Sequence, residues 1–332
     1  MHALYASGNT LRKITTQGHF TAHLSRVLRG WLLSIYVLVS LCHAADDSAG
    51  RRVATEMRGI AYHFSDTVAV RIAYLKGELV PSPSAALPIF DDSQSFSISV
   101  KSAELSITVD SLSNVLNNYV FAASDAPIKG IRVSAAGTKI RLHGRLHSKG
   151  NVPFESEGTL SITADGNIRV HTEKIKAAHL PVKGLMDLIG ETISRLIDTR
   201  KVRGVRTEQD DLILMPSELF PPPHLYGKLT SVAIRGNDIV LQYGKPETPE
   251  FKIPGNYMAY RGAQLRFGKL TMTDTDLTLL DLDPQDPFDF YLEHYQDQLV
   301  AGYTKSTHAF GLKSYFRDYN KLTPTQKTNP RK

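Results

Sequence analysis

Apolar and polar residues alternate with a period of two through the middle of the chain. Ile140, Leu142, Gly144 and Leu146 fall on one side, and Arg141, His143, Arg145, His147 and Lys149 fall on the other. That is the repeat of a strand, and it predicts a sheet with one dry and one wet face. Neighbouring segments extend it to a four-stranded meander. Ile131-Arg-Val133 meets Ile140-Arg-Leu142 across Ala136-Gly137, which pairs Val133 with Ile140 and Ile131 with Leu142. The next hairpin turns at Lys149-Gly150-Asn151, placing Arg145 opposite Glu155 and His143 opposite Glu157. At Asp165-Gly166 a strict two-residue turn would set the apolar faces out of phase, so a longer loop or a bulge is expected.

Helical spacing flanks the meander. Asp110 or Ser111 can cap a helix that carries Leu112, Val115, Leu116, Tyr119 and Val120 on one side. Pro181 opens a longer predicted helix over 181–200, with Leu185, Met186, Ile189, Ile193, Leu196 and Ile197 in its apolar stripe. Lys183, Asp187, Glu191 and Arg195 run down its opposite face. Leu212 to Met215 reads as a short strand, and Leu229 to Ile234 forms a hairpin with Ile239 to Tyr243.

The remainder is less regular. Residues 46–66 read as a polar entry segment, and Val68, Val70, Ile72 and Tyr74 as a strand. A proline-rich loop over 81–88 precedes strand-like runs at 98–100 and 105–109. Composition shifts at Lys245, where Pro246, Pro249 and Pro254 mark a linker to loose strands over 257–282. Asp286-Pro287 then predicts a helix start, with Phe288, Leu292, Tyr295, Leu299 and Tyr303 on one face. The reading is an α+β fold: a curved antiparallel sheet wrapped on a long amphipathic helix, with additional C-terminal strands and a helix. Its divisions are a leader (1–45), a β-rich domain (46–244), a C-terminal β/α extension (245–322) and a disordered basic tail (323–332).

Charge and cysteine usage place the protein. The net charge is +6, but Arg12, Lys13, Arg26 and Arg29 lie in a leader without Asp or Glu, so the rest is close to neutral. A nucleic-acid binder needs a basic footprint, and none is expected here. Arg26 and Arg29 precede the apolar run from Trp31 to Cys42, and His43-Ala44-Ala45 follows it. This is the layout of a secretory signal peptide, too short to span a bilayer, with an uncleaved anchor as the alternative. Cys42 is the single cysteine, and Leu41 before it argues against a lipoprotein site. A mature chain without cysteine has no disulfides and no thiol chemistry, which fits export to the periplasm or cell envelope of a Gram-negative-type bacterium.

Candidate chemistry is sparse. His143, His147 and His171 lie near Glu155, Glu157 and Glu173, a set better read as cross-strand ion pairs than as a metal site. The Asp281–Asp286 stretch lacks the Gly and Glu of a calcium loop. No G-x-S-x-G, H-E-x-x-H or P-loop occurs, and no catalytic residue, metal or cofactor is expected. What remains is the contact between the dry sheet face (Leu142, Leu146, Phe154, Leu160) and the helix stripe (Leu185, Met186, Ile189, Ile193, Leu196). It either fills a core or encloses a slot for an acyl chain.

The element order over about 100–244 resembles one half of the tubular lipid-binding (TULIP) architecture, and specifically the LmeA-like phospholipid-binding family. The likeness rests on Asp110-Ser-Leu-Ser-Asn-Val-Leu, on hairpins at Gly137 and Gly158, and on Pro222-Pro-His-Leu-Tyr-Gly227 leading into Leu229-Thr-Ser-Val-Ala-Ile234. The resemblance implies non-enzymatic binding of phospholipid or another acyl chain in the envelope, with peripheral membrane contact. The rival expectations are an envelope scaffold with a filled core and a hydrolase of unrecognised type.

Overall fold

The computed structural model describes residues 51–147, 150–177 and 197–327. Among these, 53% lie in strands and 11% in helical turns, so the protein is β-rich. The predicted leader and most of the predicted 181–200 helix lie outside the described residues. That includes Leu185, Met186, Ile189, Ile193 and Leu196. The C-terminal end of that helix is corrected: Ile197 to Thr199 are not helical, although Ile197 is buried.

Three long strands open the described chain: β1 (Val53–Ser65), β2 (Val68–Pro81) and β3 (Phe96–Thr108). A short helix α1 (Val109–Val115) follows and runs into a single π turn, Leu116–Val120. Its N-cap is Thr108, whose hydroxyl accepts from Ser111 N, rather than Asp110 or Ser111. The meander is β4 (Ile128–Ala136), β5 (Lys139–Leu146), β6 (Val152–Ile162) and β7 (Ile168–Ala177). Then come β8 (Val205–Glu208), β9 (Asp211–Leu214), the one-turn helix α2 (Pro216–Leu219) and β10 (His224–Tyr226). The hairpin β11 (Leu229–Arg235) and β12 (Asp238–Tyr243) forms as expected around Gly236-Asn237. The last part holds β13 (Tyr257–Gly262), β14 (Leu265–Phe267), β15 (Leu270–Met272), β16 (Thr275–Asp281) and β17 (Phe288–Tyr291). It closes with α3 (Tyr295–Val300), β18 (Tyr303–Ser306) and β19 (Leu312–Phe316).

These strands make two main sheets. The larger has the order β11-β12-β3-β2-β1-β13-β16-β19-β18. One side of β1 is shared, with Val53–Arg58 pairing antiparallel to β13 and Ile60–His63 pairing parallel to β17. β3 is shared in the same way between β10 and β12. The smaller sheet, β4-β5-β6-β7-β9-β8, is wholly antiparallel, and β14-β15 form a separate ribbon. Helix α1 touches β2, β3 and β4, and β11 touches β6, so one continuous core contains residues of both sheets.

Several expectations are corrected. The described part of the expected polar entry segment is instead β1, Val53–Ser65, which lies in the middle of the larger sheet. Lys245 is not a domain boundary: β13 and β17 pair with β1, and residues 51–332 cluster as one unit. Asp286-Pro287 starts a strand, because Phe288 and Phe290 are wholly buried beside β1, and the helix begins only at Tyr295. The tail is not featureless, since Gln326 N donates to Thr323 O and Lys327 lies over the Tyr319 ring. The hairpin registers are shifted by two residues: Val133 faces Leu142, His143 faces Glu155 and Arg141 faces Glu157. Gly158 is not in a hairpin but inside β6, where a Cβ would stand 2.2 Å from His171 O. The Asp165-Gly166 connection is the expected longer loop, with Ile162 facing Ile168.

Candidate functional site

The edge of the smaller sheet carries a concavity. Between the pairs Lys129–Arg145 and Arg132–His143, two residues of β4, Gly130 and Ile131, oppose one residue of β5, Gly144. This is a bulge, and Gly130 takes the positive φ (60°) that such a bulge demands. The bulge leaves Ile131 without strand partners, and Asn117 from the π turn supplies them. Ile131 N donates to Asn117 Oδ1 (2.8 Å), and Asn117 Nδ2 donates to Ile131 O (2.6 Å) and to Ser113 O (2.8 Å). Ser113 Oγ accepts from Val133 N (2.8 Å) and donates to Val109 O (2.7 Å). Side chains of the helical segment thus satisfy the outer edge of β4, where an unprotected strand would invite further pairing.

Beside this bulge lies an open groove of about 600 Å³. Ile131, Pro153, Phe154 and the bare backbone of Gly144 give it an apolar part, while Arg132, Arg145 and His143 give it a basic part. Among the described residues no Asp or Glu lines it. Arg145 Nε donates to Asn151 Oδ1 (3.1 Å), and Arg132 is exposed. The nearest carboxylate row is engaged elsewhere: Arg141 Nε lies 3.2 Å from Glu155, and Arg141 Nη2 donates to Glu157 (2.8 Å). That pairing holds the Arg141 guanidinium above its usual pKa, chiefly through the Glu157 hydrogen bond. Lys139 is likewise raised by its bond to Glu173. The wet face is therefore neutralised around Arg141 and remains cationic at the groove.

The expected site residues separate. Leu146 and Phe154 are buried, Leu142 and Leu160 half-buried, all packed in the core as the alternation predicted. Of these four only Phe154 reaches the groove. The alternation puts His143 and Arg145 on the wet face as plain solvent-facing residues and assigns Arg132 no role. The signal for them was a pair of glycines, Gly130 and Gly144, in adjacent strand interiors, where glycine marks a bulge.

Two other places were candidates. Under the larger sheet, Met57, Ile72, Leu75, Ile98 and Leu105 line a dry apolar void of about 20 Å³, room for one water at most. At the junction of β1 and β17, His63 Nε2 lies 2.8 Å from Asp289 Oδ1, and the His63 ring stacks on Tyr291 at 3.8 Å. Asp289 Oδ2 also accepts from Asn320 N (3.1 Å). Burial pushes the Tyr291 hydroxyl up to about 12. Among the described residues no hydroxyl or thiol hydrogen-bonds to His63, so the pair lacks a nucleophile and serves to fasten β17 to β1. In the Asp281–Asp286 stretch, Asp286 and Asp283 lie 2.9 and 4.0 Å from Lys321 Nζ, which also stands 2.9 Å from Asp318, while Asp281 accepts from Asn256 Nδ2 at 2.9 Å. Among the described residues there is no group of three or more His, Cys, Asp or Glu that could hold a metal, and no helix long and apolar enough to cross a membrane.

No family model, curated protein or solved structure matches the chain.

Proposed function

We propose that this protein is an exported, non-enzymatic binder of phospholipid or another acyl-chain lipid in the bacterial cell envelope. The observation that carries the reading is the groove at the β4–β5 bulge. Its volume lies within the range of small-molecule sites, roughly 300–1,000 Å³. An apolar part beside two guanidiniums, with no carboxylate in the lining among the described residues, suits an amphiphile whose chain needs burial and whose head carries negative charge. In this reading the smaller sheet is a TULIP-like half. The dry face that includes Ile140, Leu142, Leu146, Phe154, Leu160 and Val170 meets the apolar stripe of the 181–200 segment, and acyl chains run between them. Acid-free leader residues direct the export.

The test is native mass spectrometry of the purified chain with lipid extraction, compared with an Arg132→Ser, Arg145→Ser variant. Both arginines are exposed, so the fold should persist while bound lipid falls several-fold. An absence of lipid from the wild type, or lipid content indifferent to the double substitution, would reject the reading. One observation favours a second reading, a scaffold with a filled core: the void under the larger sheet admits no chain. That reading predicts no co-purifying lipid at all.

A further inference from the structure

The hairpin at the open end of the larger sheet presents an aromatic side chain that the fold does not use. β18 is the edge strand, paired among the described residues only with β19. Between them the chain turns through Thr307–Gly311, closed by Thr307 N to Gly311 O (2.7 Å) and by Gly311 N to Thr307 Oγ1 (2.8 Å). Gly311 is seated hard on β16, since a Cβ there would stand 2.0 Å from Asp276 Oδ2. The base of the turn is therefore fixed, and its tip is Phe310. Phe310 is 98% exposed and sits at φ 60°. A bulky residue in the left-handed region is disfavoured, and this one recovers nothing by burial. Glycine or asparagine would suit the backbone better.

The surroundings of Phe310 are basic and aromatic. From Ala301 to Arg317 the chain contains no Asp or Glu but carries Lys305, His308, Lys313 and Arg317. Among the described residues no carboxylate pairs with any of these four. Asp276, against which Gly311 sits, is held by Arg261 Nη1 at 2.9 Å, and Asp318, which follows Arg317, is held by Lys321 Nζ at 2.9 Å. Tyr303 and Tyr315 stack across the hairpin at 4.5 Å, and the Lys305 ammonium lies over both rings at 5.1 and 5.9 Å. Tyrosines beside lysines are the composition of a membrane interface, with rings at headgroup level and ammoniums on the phosphates.

We infer that the β18–β19 hairpin docks the protein on an anionic lipid surface, with Phe310 inserted among the acyl chains and Lys305 and Lys313 on the headgroups. This surface is distinct from the groove and deepens the envelope assignment without resting on groove occupancy. Burial of the Phe310 ring should account for about 10- to 100-fold in partition. Each lysine should add about fivefold on anionic lipid.

The experiment is co-sedimentation of the purified chain with vesicles of phosphatidylglycerol and phosphatidylcholine, against phosphatidylcholine alone. The wild type should bind the anionic vesicles and largely ignore the neutral ones. Phe310→Gly, which suits the positive φ, should keep or raise the unfolding midpoint while binding falls at least tenfold. In Phe310→Trp, whose new indole is the single one outside the leader, the emission should shift to the blue on adding anionic vesicles. Equal binding of wild type and Phe310→Gly would overturn the inference. So would a wild type that ignores vesicles but forms a dimer that Phe310→Gly dissociates, which would assign the edge to a second copy of the chain. Failure here leaves co-purified lipid in the groove unaffected, and failure of the groove reading leaves the Phe310 dependence unaffected.

Discussion

Replacing Asn117 by Ala is the sharpest probe of how the groove is held. The carboxamide is the sole described partner of both backbone groups of Ile131 at the β4 edge, accepting from its N–H and donating to its C=O. Ile131 is 6% exposed, so neither group is freely hydrated once the side chain is gone. Each lost hydrogen bond costs about 1 kcal/mol net, and up to about 3 where the orphaned group stays dry. The groove admits water to part of this edge, which puts the sum at about 2–4 kcal/mol. For a chain of this size that lowers the melting temperature by roughly 5–10 °C. Thermal and urea unfolding of the Asn117→Ala variant would measure it, with Asn118→Ala as an exposed neighbour that should change little. The second clip, Ser113, acts on Val133 from the same helix. A double variant with Ser113→Ala should therefore cost less than the sum of the singles, because the first loss already frees the helix from the edge. A midpoint within about 1 °C of wild type for Asn117→Ala would refute the account of the bulge.

Two further predictions concern single contacts, one half-buried and one buried. Burial, and secondarily the Arg203 charge, lowers the pKa of His224 below the ordinary histidine value. Arg203 Nη2 lies 3.4 Å from His224 Nε2, an arrangement only the neutral ring accepts. The unfolded chain then takes up its proton first as pH falls. Stability contributed by neutral His224 is full above about pH 6.5 and is lost as pH drops towards the folded pKa. Thermal unfolding between pH 5 and 8 should show a steeper acid loss for wild type than for His224→Gln, and parallel curves would contradict it. Glu56, 5% exposed on β1, accepts from the Tyr257 hydroxyl and from Glu250 N (2.7 Å). Glu56→Ala should cost about 3 kcal/mol in urea unfolding by stranding both donors, and a loss under about 1 kcal/mol would show that water replaces them.

The meander, the final hairpin and the dry face of the smaller sheet were legible because runs such as Lys139–Leu146 alternate without a break, even though β4 changes parity at its bulge. β1 was not, because its parity flips. Val53, Thr55 and Met57 are buried on one side of Gly59 and Ile60, Tyr62 and Phe64 on the other, with Gly59 at φ 63° absorbing the shift. β2 flips at Ala73, where a bulge against β3 moves the buried set from Val70 and Ile72 to Leu75 and Leu79. A reader of alternation sees two short polar-looking runs where the chain has one long strand. β17 was hidden by a genuine helix-start signal, overridden because pairing with β1 buries Phe288 and Phe290 completely. The hairpin registers slipped by two for a similar reason. Shifts of two keep each face apolar, so periodicity cannot choose among them, and the turn at Gly137-Thr138 decides.

The glycines show which irregularities belong to packing and which belong to a site. At Gly77 and Gly158 a Cβ would collide with a neighbouring backbone oxygen at 2.3 and 2.2 Å, so close strand approach explains them. At Gly130 nothing lies within 4 Å of a Cβ, so only the backbone angle requires glycine, and the space beside it is the groove. Phe310 is the converse, a side chain placed where the same angle favours glycine and where no contact repays it. Gly130 follows the choice that local stability favours and Phe310 departs from it, and both face solvent rather than the core. A fold that clips the first position with Asn117 and anchors the second on Asp276 holds each of them in a fixed geometry. Rigid support beneath an exposed feature is what a preorganised contact surface requires.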